Sequence, residues 1–160
     1  MTPPLPLNMF RGLFVGIDRY ASPGINWLSC ARRDATALHA LFSDTLGAGA
    51  ELLVDGDATR SNIENVLGEL AKCGEDDFVV FGFSGHGSDT HELVTYDADP
   101  SALGPSAIPL ERLTELVSRI PAHRLLCILD CCFSGRMGAK VLRVGVAARG
   151  LGSVGKLLDQ

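Results

Sequence analysis

Two stretches of this chain, Asp77–Ser84 (DFVVFGFS) and Arg124–Leu129 (RLLCIL), run apolar through their interiors with no polar alternation. A strand with one wet face alternates, so strands apolar on both faces must be covered on both sides. That environment is a parallel sheet, whose neighbouring strands are joined by crossover segments, usually helices, rather than by hairpins. The rest of the chain supplies those parts. Phe10–Ile17 (FRGLFVGI) reads as a first strand, and Glu51–Val54 as a short second one closed by the turn-like DGD that follows. Between them, Ala31, Ala35, Leu38, Leu41 and Phe42 recur at helical spacing over Ser29–Phe42, with Ser29 as the expected cap. Ser61 and Glu64 have capping-box spacing at the head of a stripe of Ile63, Val66, Leu67 and Leu70. Glu92–Tyr96 suits a short extra strand, and Pro109 opens a helix carrying Leu110, Leu113 and Val117. Four strands separated by helices predict an α/β fold, a mainly parallel central sheet with helices on both faces.

Composition agrees. The 160 residues are 46% hydrophobic with a mean hydropathy of +0.20, which suits a buried sheet. A domain of this size buries roughly 70% of the surface its unfolded chain exposes. No apolar run approaches the ~18 residues of a membrane span. A formal charge of −5, without a Lys/Arg cluster, argues against a nucleic-acid surface. The first residues, MTPPLPLNMF, lack a basic segment followed by an apolar one, so no secretory signal is expected. Cys30, Cys73, Cys127, Cys131 and Cys132 form neither a disulfide ladder nor a zinc spacing. An odd count without a signal reads as reduced and cytoplasmic.

Functional groups of open parallel sheets gather beyond the carboxyl ends of the strands. Two apolar strands here run into small-residue turns bearing reactive side chains, SGHG at 84–87 and DCCFSG at 130–135. Both are expected on one rim. A thiol attacks a carbonyl as thiolate, and an adjacent imidazole can take its proton and return one to the leaving amine. His86 lies between Gly85 and Gly87, where the backbone can turn sharply and a substrate can come close. The N–H groups of Gly87 and Cys132 are candidates for holding an oxyanion, each worth about 3 kcal/mol of transition-state stabilisation. Because side chains alternate along a strand, Cys127, Leu129 and Cys131 should share one packed face, leaving Cys132 at the exit as the nucleophile.

The two motifs together resemble those of the caspase and metacaspase clan of cysteine peptidases. The DxCxSG form is closer to metacaspases and their bacterial relatives than to animal caspases. His86 precedes Cys132 by 46 residues (132 − 86), near the caspase spacing of about 50. The likeness runs from FVGID through LSCARRDA to the nucleophile loop. It implies a caspase-like three-layer α/β/α sandwich, with the strands of a small (p10-like) subunit outside this chain. It implies a His86–Cys132 dyad, Gly87 as an oxyanion donor, and a specificity pocket of Asp34, Ser84 and Asp130 selecting Arg, less so Lys, in protein or peptide substrates. Two carboxylates suit a guanidinium, which binds them in a fork. Calcium, which many metacaspases need, is not expected, because only Asp97 and Asp99 lie in suitable surroundings and the usual acidic pair reads PLERL with Glu111. The likeness further implies activation by proteolytic processing and a role in regulated cell death, stress response or bacterial defence against phage.

The catalytic domain is expected over 1–146 and a glycine-rich linker over 147–160, with Arg149 as a possible processing site beside Lys140, Arg143 and Lys156. Plainer roles stand beside these. His86 could be a structural turn residue, Asp130 a cap, Asp34 a first-turn residue favoured by the helix dipole, and Ser84 a partner for backbone. His39 and His123 look like surface residues, and His91 like a solvated loop residue. A catalytically silent caspase-like assembly domain and a redox module using Cys131–Cys132 are the competing functions.

Overall fold

The computed structural model describes residues 9–132 and the backbone of 140–142. Its strands in chain order are β1 (Phe10–Gly16), β2 (Ala50–Val54), β3 (Phe78–Ser84), β4 (Glu92–Leu93), β5 (Ile108–Pro109), β6 (Arg124–Asp130) and β7 (Lys140–Leu142). The helices are α1 (Ala31–Leu46), α2 (Arg60–Leu70), the single turn α3 (Leu103–Ser106) and α4 (Leu110–Ser118). One sheet has the order β2-β1-β3-β6-β7, parallel except for β7, which lies antiparallel against β6. The four apolar runs thus become its four parallel strands.

Side-chain alternation divides the core into two. Leu13 and Val15 of β1, Val79, Phe81 and Phe83 of β3, and Cys127 and Leu129 of β6 pack under α2 and α4, against Ile63, Leu67, Leu113 and Leu116. Phe10, Phe14 and Val80 face the other way and pack under α1 with Leu38 and Phe42. The Phe42 ring stacks within 5.9 Å of Phe10 and 5.6 Å of Phe14. Each fully buried side chain of this size contributes roughly 1.5–3 kcal/mol. Covering on both faces explains why β3 carries no polar alternation.

Several local expectations are corrected. Helix α1 starts at Ala31 and does not use Ser29 as its cap; the Asp18 carboxylate, at the end of β1, accepts the Ala31 N–H at 2.8 Å. A carboxylate at the positive end of a helix does the work of a local cap. In that helix Leu41 is 61% exposed, outside the buried stripe. Thr59, not Ser61, caps α2 by accepting from Asn62 N–H at 3.2 Å, and Glu64 pairs instead with Arg60 and Arg112. The extra strand is confined to 92–93 and pairs with β5 in a separate two-stranded sheet. His39 is no mere surface residue: its Nε2 lies 3.2 Å from Ala50 O and its ring meets Phe14 edge-on. The antiparallel β7 adds a strand that the sequence pattern does not announce.

At the end of β1, Gly16 receives the first turn of α1. A Cβ there would lie 2.7 Å from Ala31 O and from Ala35 Cβ. Gly16→Ala is therefore expected to lower stability by about 1–3 kcal/mol in urea unfolding, the usual scale of overpacking. An unchanged midpoint would show that the helix does not dock so closely.

Candidate active site

The carboxyl ends of the three central strands form one row. Gly16 pairs with Ser84, and Ser84 with Asp130. The backbones stay joined as they leave the sheet, Ile17 N–H donating to Ser84 O at 3.0 Å and Gly85 N–H to Asp130 O at 3.3 Å. Ser84, 5% exposed, also donates its hydroxyl to Asp130 Oδ2 at 3.3 Å. His86 and Cys132 each stand two residues beyond a member of the Ser84–Asp130 pair, so register alone carries both to the same rim.

His86 is held from several directions. Its N–H donates to the Tyr20 hydroxyl at 2.8 Å, and its carbonyl accepts from Val94 N–H at 2.9 Å. The rings of Tyr20 and His86 lie 5.2 Å apart. Gly85 allows this approach, since a Cβ there would sit 3.1 Å from the Tyr20 hydroxyl. Burial pushes the Tyr20 phenol well up, against the lowering effect of the bond from His86, so it stays a neutral hydroxyl at working pH. The ring Nε2 lies 2.7 Å from Asn26 O. A carbonyl only accepts, so in the neutral ring the proton sits on Nε2 and the lone pair on Nδ1. An imidazole so oriented offers Nδ1 as a base.

The next residue, Gly87, bridges Leu93. The flanking bonds run from Val94 N–H to His86 O and from Ser88 N–H to Glu92 O at 3.0 Å. Gly87 therefore occupies a non-hydrogen-bonded position, and its own N–H points away from that partner strand. Behind the loop, the buried Glu92 carboxylate accepts from the hydroxyls of Ser88 and Thr90.

The segment between β1 and α1, which supplies Tyr20 and Asn26, is pinned from β2. Asp55, in the left-handed region at φ 45°, accepts the N–H groups of Asp18 at 2.9 Å and Arg19 at 3.0 Å. Leu28 N–H closes back on Asp18 O at 2.8 Å, and Ala21 N–H reaches Tyr96 O at 2.9 Å.

Of the paired thiols, Cys131 is buried in the core with Cys127 and Leu129, as alternation requires. Burial pushes its thiol up to about 12, with the neighbouring Asp130 and Cys132 adding to the shift, so it stays protonated at neutral pH. Cys132 is exposed. A vicinal redox pair would need both sulfurs accessible, and Cys131 is not.

The three expected pocket residues are not equally assembled. Ser84 and Asp130 are in direct contact. Asp34 lies in the first turn of α1, its side chain 45% exposed and 3.7 Å from Arg33 Nε; its link to the pair is the docking of that turn on Gly16, beside Ser84. Asp97 accepts from Arg60 N–H and the Thr95 hydroxyl, and Asp99 from Ser101, so both carboxylates serve turns and a helix start. Among the described residues no set of three or more His, Cys, Asp or Glu converges as a metal site. No helix among them is long and apolar enough to cross a membrane. Arg149, Ser134 and the glycine-rich 147–160 segment lie outside the described residues.

Tyr20 and Asn26 are the site residues that sequence reasoning missed. Asn26 acts through its carbonyl, which no side-chain type announces. Tyr20 sits in a segment whose path is set by Asp55, far along the chain.

A family model described as "Caspase domain" matches residues 10–151. Among solved structures, the crystal structure of protein GSU0716 from Geobacter sulfurreducens superposes with a TM-score of 0.64 at 18% identity. The alignment covers 78% of this chain and 50% of that one, so the chain spans about half the length of that protein. No curated protein matches the chain.

Tyr20→Phe keeps the ring but leaves the His86 N–H without its acceptor. The expected loss is about 1 kcal/mol, the low end of the penalty for orphaning a donor that is only partly buried, measured by chemical denaturation. Stability equal to wild type would show that this bond does not fix the loop.

Proposed function

The chain belongs to the caspase-domain family of cysteine peptidases, and on that premise we propose that it cleaves proteins after a basic residue with Cys132 as nucleophile and His86 as base. The reading is supported above all by the equal two-residue offset of His86 and Cys132 from the paired strand ends Ser84 and Asp130.

In this mechanism His86 Nδ1 takes the proton of Cys132, and the thiolate attacks the scissile carbonyl carbon. The oxyanion is held by the N–H groups of Gly87 and Cys132. Collapse breaks the C–N bond; the amine leaves with the proton from His86, and a thioester remains on Cys132. Water then gives a proton to His86 and attacks the thioester, the C–S bond breaks, and the thiol recovers its proton. Asn26 O keeps the imidazole in the tautomer that starts this cycle and stabilises the imidazolium formed within it.

Selection of Arg over Lys before the cut bond is assigned to Asp130 and Asp34, with Ser84 orienting the Asp130 carboxylate. A planar guanidinium can be gripped by two carboxylates at once, whereas an ammonium is a point charge. Processing at Arg149, completion of the sheet by a small (p10-like) subunit, and a part in regulated cell death or defence belong to the same proposal.

Cys132→Ala should abolish cleavage of an Arg-containing peptide, and Cys131→Ala should keep most of it. The reverse result would refute the assignment of the nucleophile. Comparing peptides with Arg, Lys or Asp before the bond tests the pocket: preference for Asp would remove it.

A further inference from the structure

The chain's single tryptophan, Trp27, is 65% exposed, and the exposed Arg19 lays its guanidinium over the indole ring, 4.9 Å from the centroid. Nothing in the packing of the described residues accounts for this. An indole buries on the order of 150–250 Å² when it serves a core, and an exposed cation–π contact contributes only about 0.5–1 kcal/mol. Among the described residues, Arg19 makes no ion pair; the carboxylate next to it, Asp55, takes its backbone N–H rather than its side chain.

The pair sits beside the imidazole. Arg19 precedes Tyr20, whose hydroxyl accepts the His86 N–H at 2.8 Å; Trp27 follows Asn26, whose carbonyl lies 2.7 Å from His86 Nε2. Each member is thus one residue from a direct contact with His86. The two are joined across the loop by the Leu28 N–H to Asp18 O bond of 2.8 Å. An exposed aromatic plate, under a cation that makes no ion pair among the described residues, is held beside the His86 imidazole.

On the peptidase reading, on which this rests, the departing half of the substrate starts at the leaving amine and so passes over His86. An extended peptide advances roughly 3.3–3.6 Å per residue, so the first or second residue after the cut reaches the neighbourhood of the pair. We propose that Arg19 and Trp27 form a subsite for an acidic side chain on the leaving side of the substrate. The alkyl stem of a Glu or Asp lies along the indole, and its carboxylate takes the free N–H groups of the guanidinium. The substrate class becomes a basic residue before the bond and an acidic one just after it.

Because Trp27 is the only tryptophan, its emission reports on the surroundings of this pair, and the contrast between Glu and Lys peptides isolates the subsite. The full chain carrying Cys132→Ala is titrated with peptides that have Arg, Lys or Asp before the bond and Glu, Gln or Lys in the two positions after it; wild type is assayed for cleavage of the same set. Expected is a saturable change in emission with the Glu peptides, binding about tenfold weaker with Lys in their place, as for a charge reversal opposite a fixed cation, and loss of that difference in Arg19→Gln. A matching Glu-over-Lys preference is expected in cleavage. Peptides that are cleaved without altering emission, or equal handling of Glu and Lys, overturn the subsite and leave the peptidase standing. No cleavage and no binding of any peptide overturns both.

Discussion

The row of backbone pairs Gly16–Ser84–Asp130 is the constraint on which the rest depends. Parallel register fixes where each strand stops relative to its neighbour. Once Ser84 and Asp130 stand opposite each other, the residues two steps on are delivered to one edge without any contact between their side chains being needed to bring them there. A slip of one residue would turn Cys132 into the core and Cys131 out of it. Register is held by packing, because Phe81, Phe83, Cys127 and Leu129 fill the face under α2 and α4 while Val80 fills the one under α1.

Around that row the molecule spends its polar groups on orientation. Asp55 adopts a left-handed backbone, a conformation that costs non-glycine residues free energy and clusters at functional sites. In return its carboxylate fixes the segment that carries Tyr20 and Asn26 to His86. Asp18 starts α1, and α1 in turn rests on Gly16. The chain of supports runs from the end of β2 through the loop to the imidazole, so His86 is positioned in part by a carboxylate, Asp55, that does not touch it. Burial acts on the thiols in the opposite sense, silencing Cys131 and leaving Cys132 at the surface.

The sheet was legible because its signal is local and repeated: four apolar runs, two of them without polar alternation, and helical stripes between. The same alternation separated Cys131 from Cys132. Most of what was not legible depends on partners distant in sequence. Ser29 looked like a cap until Asp18 took the Ala31 N–H, and Ser61 until Thr59 took the start of α2. His39 packs on Phe14 because α1 crosses β1, a fact of topology rather than of its neighbours in sequence. The acidic Asp97 and Asp99 resolve into turn and cap partners. Asn26 contributes a carbonyl, which every residue has.

The central claim is that His86 and Cys132 act as one unit on that rim. Its most direct measurement is the rate of Cys132 alkylation by iodoacetamide, followed by mass spectrometry across pH in wild type and in His86→Ala. An imidazole that takes the thiol proton should make wild type faster by about tenfold or more near neutral pH, with a step in the pH profile that depends on the imidazole. His86→Ala should lose both the acceleration and the step. Identical profiles in the two proteins would mean that the sulfur and the imidazole do not meet, and the account of the site would fall.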